Sequence, residues 1–209
     1  MSFPQGIALR NTAGYVTDGA NDWADTSTAA DYPQTSTQGN TVGLEGGANY
    51  SNRDRNNTID ARLAGMGYTF NNTTTTVRID LASSGSKNVR IAAGDYNYAS
   101  NVLIELFDTT TSKGVLASTA TTAANKFRDA VNAEYSAAAW PGSNTAVNVT
   151  FSTTICRFQM GTTSGGLLYV LAYVYVEDAG GGGGHTRGGA QFVNYSGITY
   201  FGATPSGPN

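Results

Sequence analysis

The chain has 209 residues, only 13% of which are charged, and its formal net charge at pH 7 is −3. Because a weakly acidic chain has no basic surface to neutralise phosphates, this composition argues against nucleic-acid binding. The single cysteine, Cys156, excludes an intramolecular disulfide and a multi-cysteine zinc site. The 26 glycines and the many Thr, Ser and Asn residues favour an all-β protein.

The first part of the chain, residues 1–40, is polar and weakly patterned. It predicts an N-terminal extension and loop that pack on a following domain, with a candidate first strand within residues 9–18. No basic segment followed by an apolar one stands near the N-terminus, so we expect no secretory signal. The longest apolar run, residues 167–176, is too short to span a bilayer, so we expect no membrane partner.

The most charged stretch is residues 52–63, where Arg and Asp alternate. Its first interpretation is a solvated loop whose charges pair with one another. The alternative is a ligand site, since the same charges could recognise a polar molecule. The sequence leaves both interpretations open.

The best-patterned stretch, residues 76–108, predicts three strands at 76–81, 87–95 and 101–108. Apolar residues alternate with polar ones in each, which places them on one face of a strand. The first two strands are linked by Ser-Ser-Gly-Ser, a turn sequence, and are therefore predicted to form a hairpin. The same alternation predicts later strands at 146–152 and 156–160.

The loop between the second and third of these strands contains a candidate ligand site. Tyr96, Asn97, Tyr98 and Asn101 combine aromatic rings with amides, as sugar-binding sites do. The alternative is a tyrosine-rich loop that packs on itself. Asp95, just before the loop, is a candidate calcium ligand, because calcium prefers carboxylate and amide oxygens.

The one stretch with helical composition is residues 123–139, which predicts one or two turns of helix. Trp140-Pro141-Gly142 should end it. Residues 168–177 follow as a predicted continuous strand with one aliphatic face and one tyrosine face. Intramolecular packing, a neighbouring subunit or a sugar could cover the tyrosine face, and Tyr169, Tyr173 and Tyr175 are the candidate interface residues.

The predicted domain, residues 41–178, is followed by an arm at 179–209 with an uninterrupted run of glycines. Such a run predicts a flexible tether. The residues beyond it are apolar and aromatic, so we expect the arm to dock on its own domain or on another subunit. The candidate docking residues are Phe192, Tyr195, Tyr200 and Phe201.

Catalysis is not expected from this sequence. The only histidine, His185, lies in the glycine-rich segment, where a catalytic base is poorly positioned. A carboxylate pair among Asp54, Asp60, Asp95 and Asp108 is the alternative, but acidic residues at strand ends more often cap turns. We therefore predict no enzymatic activity and no cofactor, with calcium as the one candidate ion.

Several motifs together resemble a galactose-binding-like or malectin-like jelly-roll module. They are Gly14-Tyr15-Val16, the charged stretch at 53–63, Val77-Arg78-Ile79-Asp80-Leu81, Ala93-Gly94-Asp95 and Tyr173-Val174-Tyr175-Val176-Glu177. Similar modules accompany GDSL-type esterases, and similar chains occur among uncharacterised bacteriophage proteins. The resemblance implies an antiparallel jelly-roll β-sandwich, in which sugars often bind at loops of one edge and calcium is sometimes structural.

Two functions follow as hypotheses. The first is a structural protein of a phage virion, such as a capsid decoration, head-fibre or tail component, whose partners are other virion proteins and copies of itself. The alternative is a non-catalytic carbohydrate-binding module of a secreted or cell-surface protein, which would be extracellular and bind glycans.

Overall fold

The computed structural model of the chain describes residues 5–9, 22–24, 32–36, 39–46, 50–55, 60–70, 72–162 and 167–180. These residues contain a 3-10 helix at Ala61–Leu63, an α-helix α1 at Trp140–Ser143 and sixteen strands. The strands are β1 (Gln5–Ala8), β2 (Asp22–Ala24), β3 (Gln34–Thr35), β4 (Thr41–Glu45), β5 (Tyr50–Asp54), β6 (Gly65–Thr69), β7 (Thr74–Asp80), β8 (Gly85–Asp95), β9 (Ser100–Asp108), β10 (Thr111–Thr122), β11 (Lys126–Arg128), β12 (Glu134–Ser136), β13 (Val147–Phe151), β14 (Ile155–Gly161), β15 (Tyr169–Leu171) and β16 (Tyr173–Asp178).

The described strands form two sheets. The seven-stranded sheet has the order β12-β11-β8-β16-β1-β2, with β13 also paired to β8. The nine-stranded sheet has the order β3-β4-β7-β14-β9-β15-β6-β5, with β10 also paired to β9. The chain passes between the sheets several times, including from β7 to β8, from β8 to β9, from β10 to β11, from β13 to β14 and from β15 to β16. The predicted all-β jelly-roll sandwich with one short helical segment is therefore confirmed.

The core lies between the two sheets and follows from the alternating sequence pattern. Along β7 the residues Val77 and Ile79 are fully buried, and Arg78 between them is half-buried. In β9 every second residue is buried, from Ser100 to Asp108. Side chains alternate across a strand, so each of these strands contributes one apolar face to the core.

The predicted hairpin between residues 76–81 and 87–95 is wrong, although both strands exist. β7 pairs with β4 and β14 in one sheet, whereas β8 pairs with β16, β13 and β11 in the other. The link between them crosses the sandwich, and the Leu81 N–H donates to the carbonyl of Thr154 at 2.8 Å. A turn sequence predicts a change of direction, but not which strand becomes the partner.

The helix predicted at residues 123–139 is also wrong. This segment contains β11 and β12, which pair with each other, and β11 pairs with β8 as well. The short helix lies further on at Trp140–Ser143, where the sequence analysis expected helix to end. The Trp140 indole donates to the Ile91 carbonyl at 3.0 Å, which ties α1 to the core. Tertiary pairing thus overrides the helical composition of the preceding segment.

The strand predicted as continuous over residues 168–177 is broken into β15 and β16, which belong to different sheets. Between them Ala172 donates its N–H to the carbonyl of Ala92 at 2.8 Å. In β16 burial is continuous from Tyr173 to Val176, because Val174 and Val176 lie in the core and Tyr173, on the other face, packs against Trp140. A continuous apolar run can therefore hide a passage from one sheet to the other.

At the N-terminal end, β1 lies between β16 and β2 and its four residues are buried. The candidate strand at residues 9–18 lies almost entirely outside the described residues, as does the glycine-rich arm beyond residue 180. The predicted domain boundaries stay predictions. Within the described part of the chain, no helix is long and apolar enough to cross a membrane.

Asp108, at the end of β9, fixes the turn between β13 and β14. Its carboxylate accepts hydrogen bonds from the backbone N–H and the hydroxyl of both Ser152 and Thr153, at 2.5–3.2 Å. Burial opposes ionisation of this group, but these hydrogen bonds outweigh it and lower its pKa. Asp108 therefore has a structural role as a turn cap.

Candidate functional site

A cleft of about 360 Å³ opens where the ends of five strands meet. β5, β6, β9 and β15 reach it from the nine-stranded sheet, and β8 reaches it from the seven-stranded sheet. The described lining consists of Arg53, Arg55, Met66, Tyr68, Asp95, Tyr98, Ala99, Ser100, Asn101 and Leu168. It therefore combines two residues of the charged stretch with part of the loop between β8 and β9.

The centre of the cleft is an ion pair between Arg55 and Asp95. The guanidinium Nε and Nη2 atoms each lie 2.7 Å from one oxygen of the carboxylate. The two side chains are only 11% and 3% exposed, respectively. The hydrogen bonds to Asp95 raise the pKa of Arg55. This bidentate pair links the end of β5 to the end of β8 and so joins the two sheets at the cleft.

The loop after β8 begins as an Asx turn. The Asn97 N–H donates to Oδ1 of Asp95 at 2.9 Å, which is the local hydrogen bond that Asp residues make at turns. The turn places Tyr98 at the surface, with 63% of the residue exposed. Its ring centroid lies 5.2 Å from the guanidinium carbon of Arg55, so the guanidinium makes a cation–π contact with the ring.

The opposite part of the lining is built by β5 and β6, which pair Arg53 with Met66 and Ser51 with Tyr68. Arg53 is exposed, and its Nε donates to the Tyr68 hydroxyl at 3.2 Å. Tyr68 is 9% exposed and its ring stacks on Phe70. Hydrogen bonds from Ser51 and Arg53 lower the pKa of Tyr68 despite burial.

Two further residues contribute polar groups to the cleft. Asn101 on β9 donates from its amide to the carbonyl of Leu168 at 3.0 Å, which ties β9 to the segment before β15. Ser100 is 6% exposed, and within the described part of the chain its hydroxyl has no hydrogen-bond partner. A buried hydroxyl without a hydrogen-bond partner is uncommon in proteins, so Ser100 is a candidate ligand contact in the lining of the cleft.

Of the predicted sugar-site residues, Tyr98 and Asn101 line the cleft, but Tyr96 and Asn97 do not. Tyr96 is half-buried against the core, and the described contact of Asn97 is its backbone hydrogen bond. The charged stretch is apparent in the sequence, but its position beside the loop between β8 and β9 is not. It gave no signal for Tyr68 or Ser100. The ligand-binding role of all these residues stays a prediction.

Both oxygens of Asp95, the candidate calcium ligand, are engaged by Arg55. A calcium ion there would compete with the guanidinium for the same oxygens. Among the described residues, no group of three or more His, Cys, Asp and Glu side chains has an arrangement suited to a metal ion. Calcium binding near Asp95 stays a prediction.

The candidate interface residues lie in different environments. Tyr169 is half-buried on β15, and on β16 Tyr173 and Tyr175 are 2% and 5% exposed. Tyr173 packs edge-on against Trp140, with their ring centroids 5.7 Å apart, and the Tyr175 hydroxyl donates to the Glu177 carboxylate at 3.1 Å. Phe192, Tyr195, Tyr200 and Phe201 lie outside the described residues. The role of all seven residues at an interface stays a prediction.

No protein-family model matches the chain, and no curated protein sequence does. Among solved structures, the chain is similar to the protein YxiM of Bacillus subtilis, with 9% identity and a TM-score of 0.48. This match covers 85% of the chain but only 40% of the length of YxiM.

Two family 35 carbohydrate-binding modules are also similar. The module from Paenibacillus barcinonensis is 11% identical with a TM-score of 0.38, covering 72% of this chain and 97% of the module. The module from Clostridium thermocellum is 12% identical with a TM-score of 0.35, covering 66% and 92%. At these scores the likeness concerns the β-sandwich alone. The resemblance to phage virion proteins and to modules of GDSL-type esterases stays a prediction.

Proposed function

We propose that the chain is a non-catalytic carbohydrate-binding module whose ligand occupies the cleft between the β8–β9 loop and the β5–β6 pair. The observation that supports this most directly is Tyr98, an aromatic residue 63% exposed at the rim of the cleft. Exposed aromatic rings offer a flat apolar surface for the C–H face of a sugar, while nearby polar groups bind its hydroxyls. Asn101 and Arg53 supply such polar groups beside Tyr98.

The position of Tyr98 is set before any ligand arrives. Arg55 lies against the ring, and Asp95 holds Arg55 through two hydrogen bonds. A side chain that is already ordered loses less entropy on binding, which favours affinity. This arrangement supports a binding surface built into the end of the sandwich.

We propose binding without catalysis because of the acid–base groups in the cleft. Glycoside hydrolysis generally uses two carboxyl groups, one on each side of the scissile bond. The described lining contains one carboxylate, Asp95, which is buried and paired with Arg55. A carboxylate held by a guanidinium on both oxygens is a poor general acid or base. Turnover of a bound glycan would contradict this part of the proposal.

The ligand class places the proposed site of action outside the cell or on a cell surface, where glycans are displayed. A role in a phage virion, with self-association or other virion proteins as partners, stays a prediction from the sequence. No contact among the described residues favours it. The two roles are compatible, because a particle can also display a glycan-binding domain.

The test is a glycan array with the full chain and its Tyr98→Ala variant. We expect binding to at least one glycan class, and a loss of about tenfold in affinity for the variant, or about 1.4 kcal/mol. Val115→Ala is the matched control, since Val115 is 55% exposed but lies outside the cleft lining. Equal binding by Tyr98→Ala and the unaltered protein, or no binding to any glycan, would overturn the proposal.

A further inference from the structure

The cleft has an excess of positive charge although the whole chain is acidic. Its described lining contains two cations, Arg53 and Arg55, and one anion, Asp95. Asp95 is neutralised by Arg55 in the bidentate pair. The charge of Arg53 is therefore left uncompensated within the cleft, in a protein whose net charge is −3.

Arg53 is also available for a ligand. The residue is exposed, and its described side-chain contacts are the hydrogen bond from Nε to the Tyr68 hydroxyl and the approach of its guanidinium to the Tyr68 ring, at 5.6 Å. An arginine has four further N–H donors on its two Nη atoms, arranged as a fork that fits a carboxylate or sulfate. The hydrogen bond to Tyr68 holds the base of the fork at the wall of the cleft.

Ser100 provides a second and independent indication of a polar ligand. Its hydroxyl is buried in the lining and has no hydrogen-bond partner among the described residues. Leaving such a group unsatisfied costs stability, so a site that keeps it benefits when a ligand supplies the partner. Arg53 and Ser100 belong to the same cleft lining as Tyr98.

We infer that the ligand is an anionic saccharide, one that carries a carboxylate or a sulfate group, and that Arg53 is the residue that selects it. This inference rests on the proposed function, because it names the class of sugar taken by the same cleft. Tyr98 contacts the sugar ring, Arg53 binds the anionic group and Ser100 hydrogen-bonds to a hydroxyl. The neutral counterpart of the same sugar lacks the attraction to Arg53 and binds less well.

The experiment compares ligands that differ only in charge. Calorimetry with the full chain would use a galacturonate oligosaccharide, its methyl ester, and a sulfated galactan beside the unsulfated galactan. We expect the charged member of at least one pair to bind about tenfold more tightly, since a hydrogen bond to a charged group is stronger than one to a neutral group. This preference should weaken as the salt concentration rises.

Three variants identify the residues responsible. Arg53→Gln should remove the preference for the charged ligand, because glutamine carries no charge. It should weaken the neutral counterpart much less, because the glutamine amide can still hydrogen-bond to a sugar hydroxyl. Arg90→Gln is the control, because Arg90 is an arginine on β8 that pairs with Glu177 and lies outside the cleft lining. Ser100→Ala should weaken binding severalfold without lowering the midpoint of thermal unfolding, since it removes a buried hydroxyl that has no described partner.

Each outcome separates the inference from the proposed function. If both members of each pair bind equally and Tyr98→Ala abolishes binding, the module binds glycans but the inference is wrong. If Arg53→Gln weakens charged and neutral ligands alike, the selective role of Arg53 is also wrong. If no glycan binds at all, both the inference and the proposed function fail. A preference seen only with the sulfated galactan supports the inference and identifies sulfate as the anionic group.

Discussion

Replacing Asp95 with alanine should destabilise the protein more than the loss of any exposed ion pair. The variant leaves the Arg55 guanidinium, only 11% exposed, without its carboxylate. Removing one partner of a buried pair typically costs about 3–5 kcal/mol, and the remaining access of water to Arg55 favours the lower end of that range. The Asn97 N–H also loses its acceptor, but Asn97 is an exposed residue, so water can replace the carboxylate. We therefore expect a loss of about 3 kcal/mol.

The assay is equilibrium unfolding in urea at pH 7, together with the midpoint of thermal unfolding. For a protein of this size, a loss of about 3 kcal/mol lowers that midpoint by roughly 6–12 °C. Glu134→Ala is the matched control, because Glu134 pairs with Arg128 in a more exposed position, with side chains 34% and 22% exposed. Exposed pairs contribute about 0.2–1 kcal/mol, so the control should remain close to the unaltered protein.

A double-mutant cycle with Arg55→Ala separates the ion pair from the other contacts of Asp95. If the pair is responsible, the double variant should be less destabilised than the sum of the two single variants by at least about 1 kcal/mol. Additive effects, or a loss below about 1 kcal/mol for Asp95→Ala, would refute the reasoning. The Asp95→Ala variant should also bind the glycan more weakly, because Tyr98 then loses the support of a fixed Arg55.

Two further predictions concern the fold. Since the pKa of Asp108 is lower in the folded state than its ordinary value of 3.8, its stabilising effect should be complete above that value and disappear as the pH falls below it. Asp108→Asn should reduce stability at pH 7 and flatten the acid limb of a stability–pH curve; an unchanged acid limb would contradict this cause. A Cβ on Gly94 would lie 2.2 Å from the carbonyl of Lys126, whereas one on Gly142 would meet nothing within 4 Å. Gly94→Ala should therefore lower the free energy of unfolding in urea by about 1–3 kcal/mol, whereas Gly142→Ala should change it little. Equal losses in the two variants would refute the steric argument.

The sequence predicted the strands well where alternation was long, but not their partners. β7, β8 and β9 lie where alternating residues placed them, because a period of two follows directly from the geometry of a strand. The pairing of β7 with β14 joins Ile79 to Cys156, residues far apart in the chain. Nothing in the link between β7 and β8 distinguishes a hairpin from a passage across the sandwich. Partner choice is a property of the whole core and is not visible in a local pattern.

The segment at residues 123–139 was mispredicted for a related reason. Its alanines favour helix, but intrinsic propensities differ by less than about 1 kcal/mol per residue and tertiary context overrides them. Phe127 is fully buried on β11, and its neighbours pair with β8 and β12. Burial of one large aromatic residue contributes about 1.5–3 kcal/mol, which exceeds the local preference of a few residues.

The cleft was predicted in parts that only the fold brings together. Tyr98 and Asn101 were visible because an aromatic and an amide stood in one short loop. Arg53 and Arg55 were visible as charges, with a self-paired loop as the first interpretation. That interpretation does not hold for Arg55, whose partner is Asp95, forty residues later in the chain. Whether Arg53 is a ligand contact is the question that the paired charged and neutral sugars address.

The ion pair also explains why the cleft should depend on the integrity of the whole sandwich. Arg55 follows β5 in the nine-stranded sheet, and Asp95 ends β8 in the seven-stranded sheet. Any change that lets the two sheets separate at this end also releases Arg55 and, with it, Tyr98. A destabilising substitution there, such as Gly94→Ala, should therefore weaken glycan binding although it touches no ligand. Core substitutions near the opposite end should reduce stability with a smaller effect on affinity.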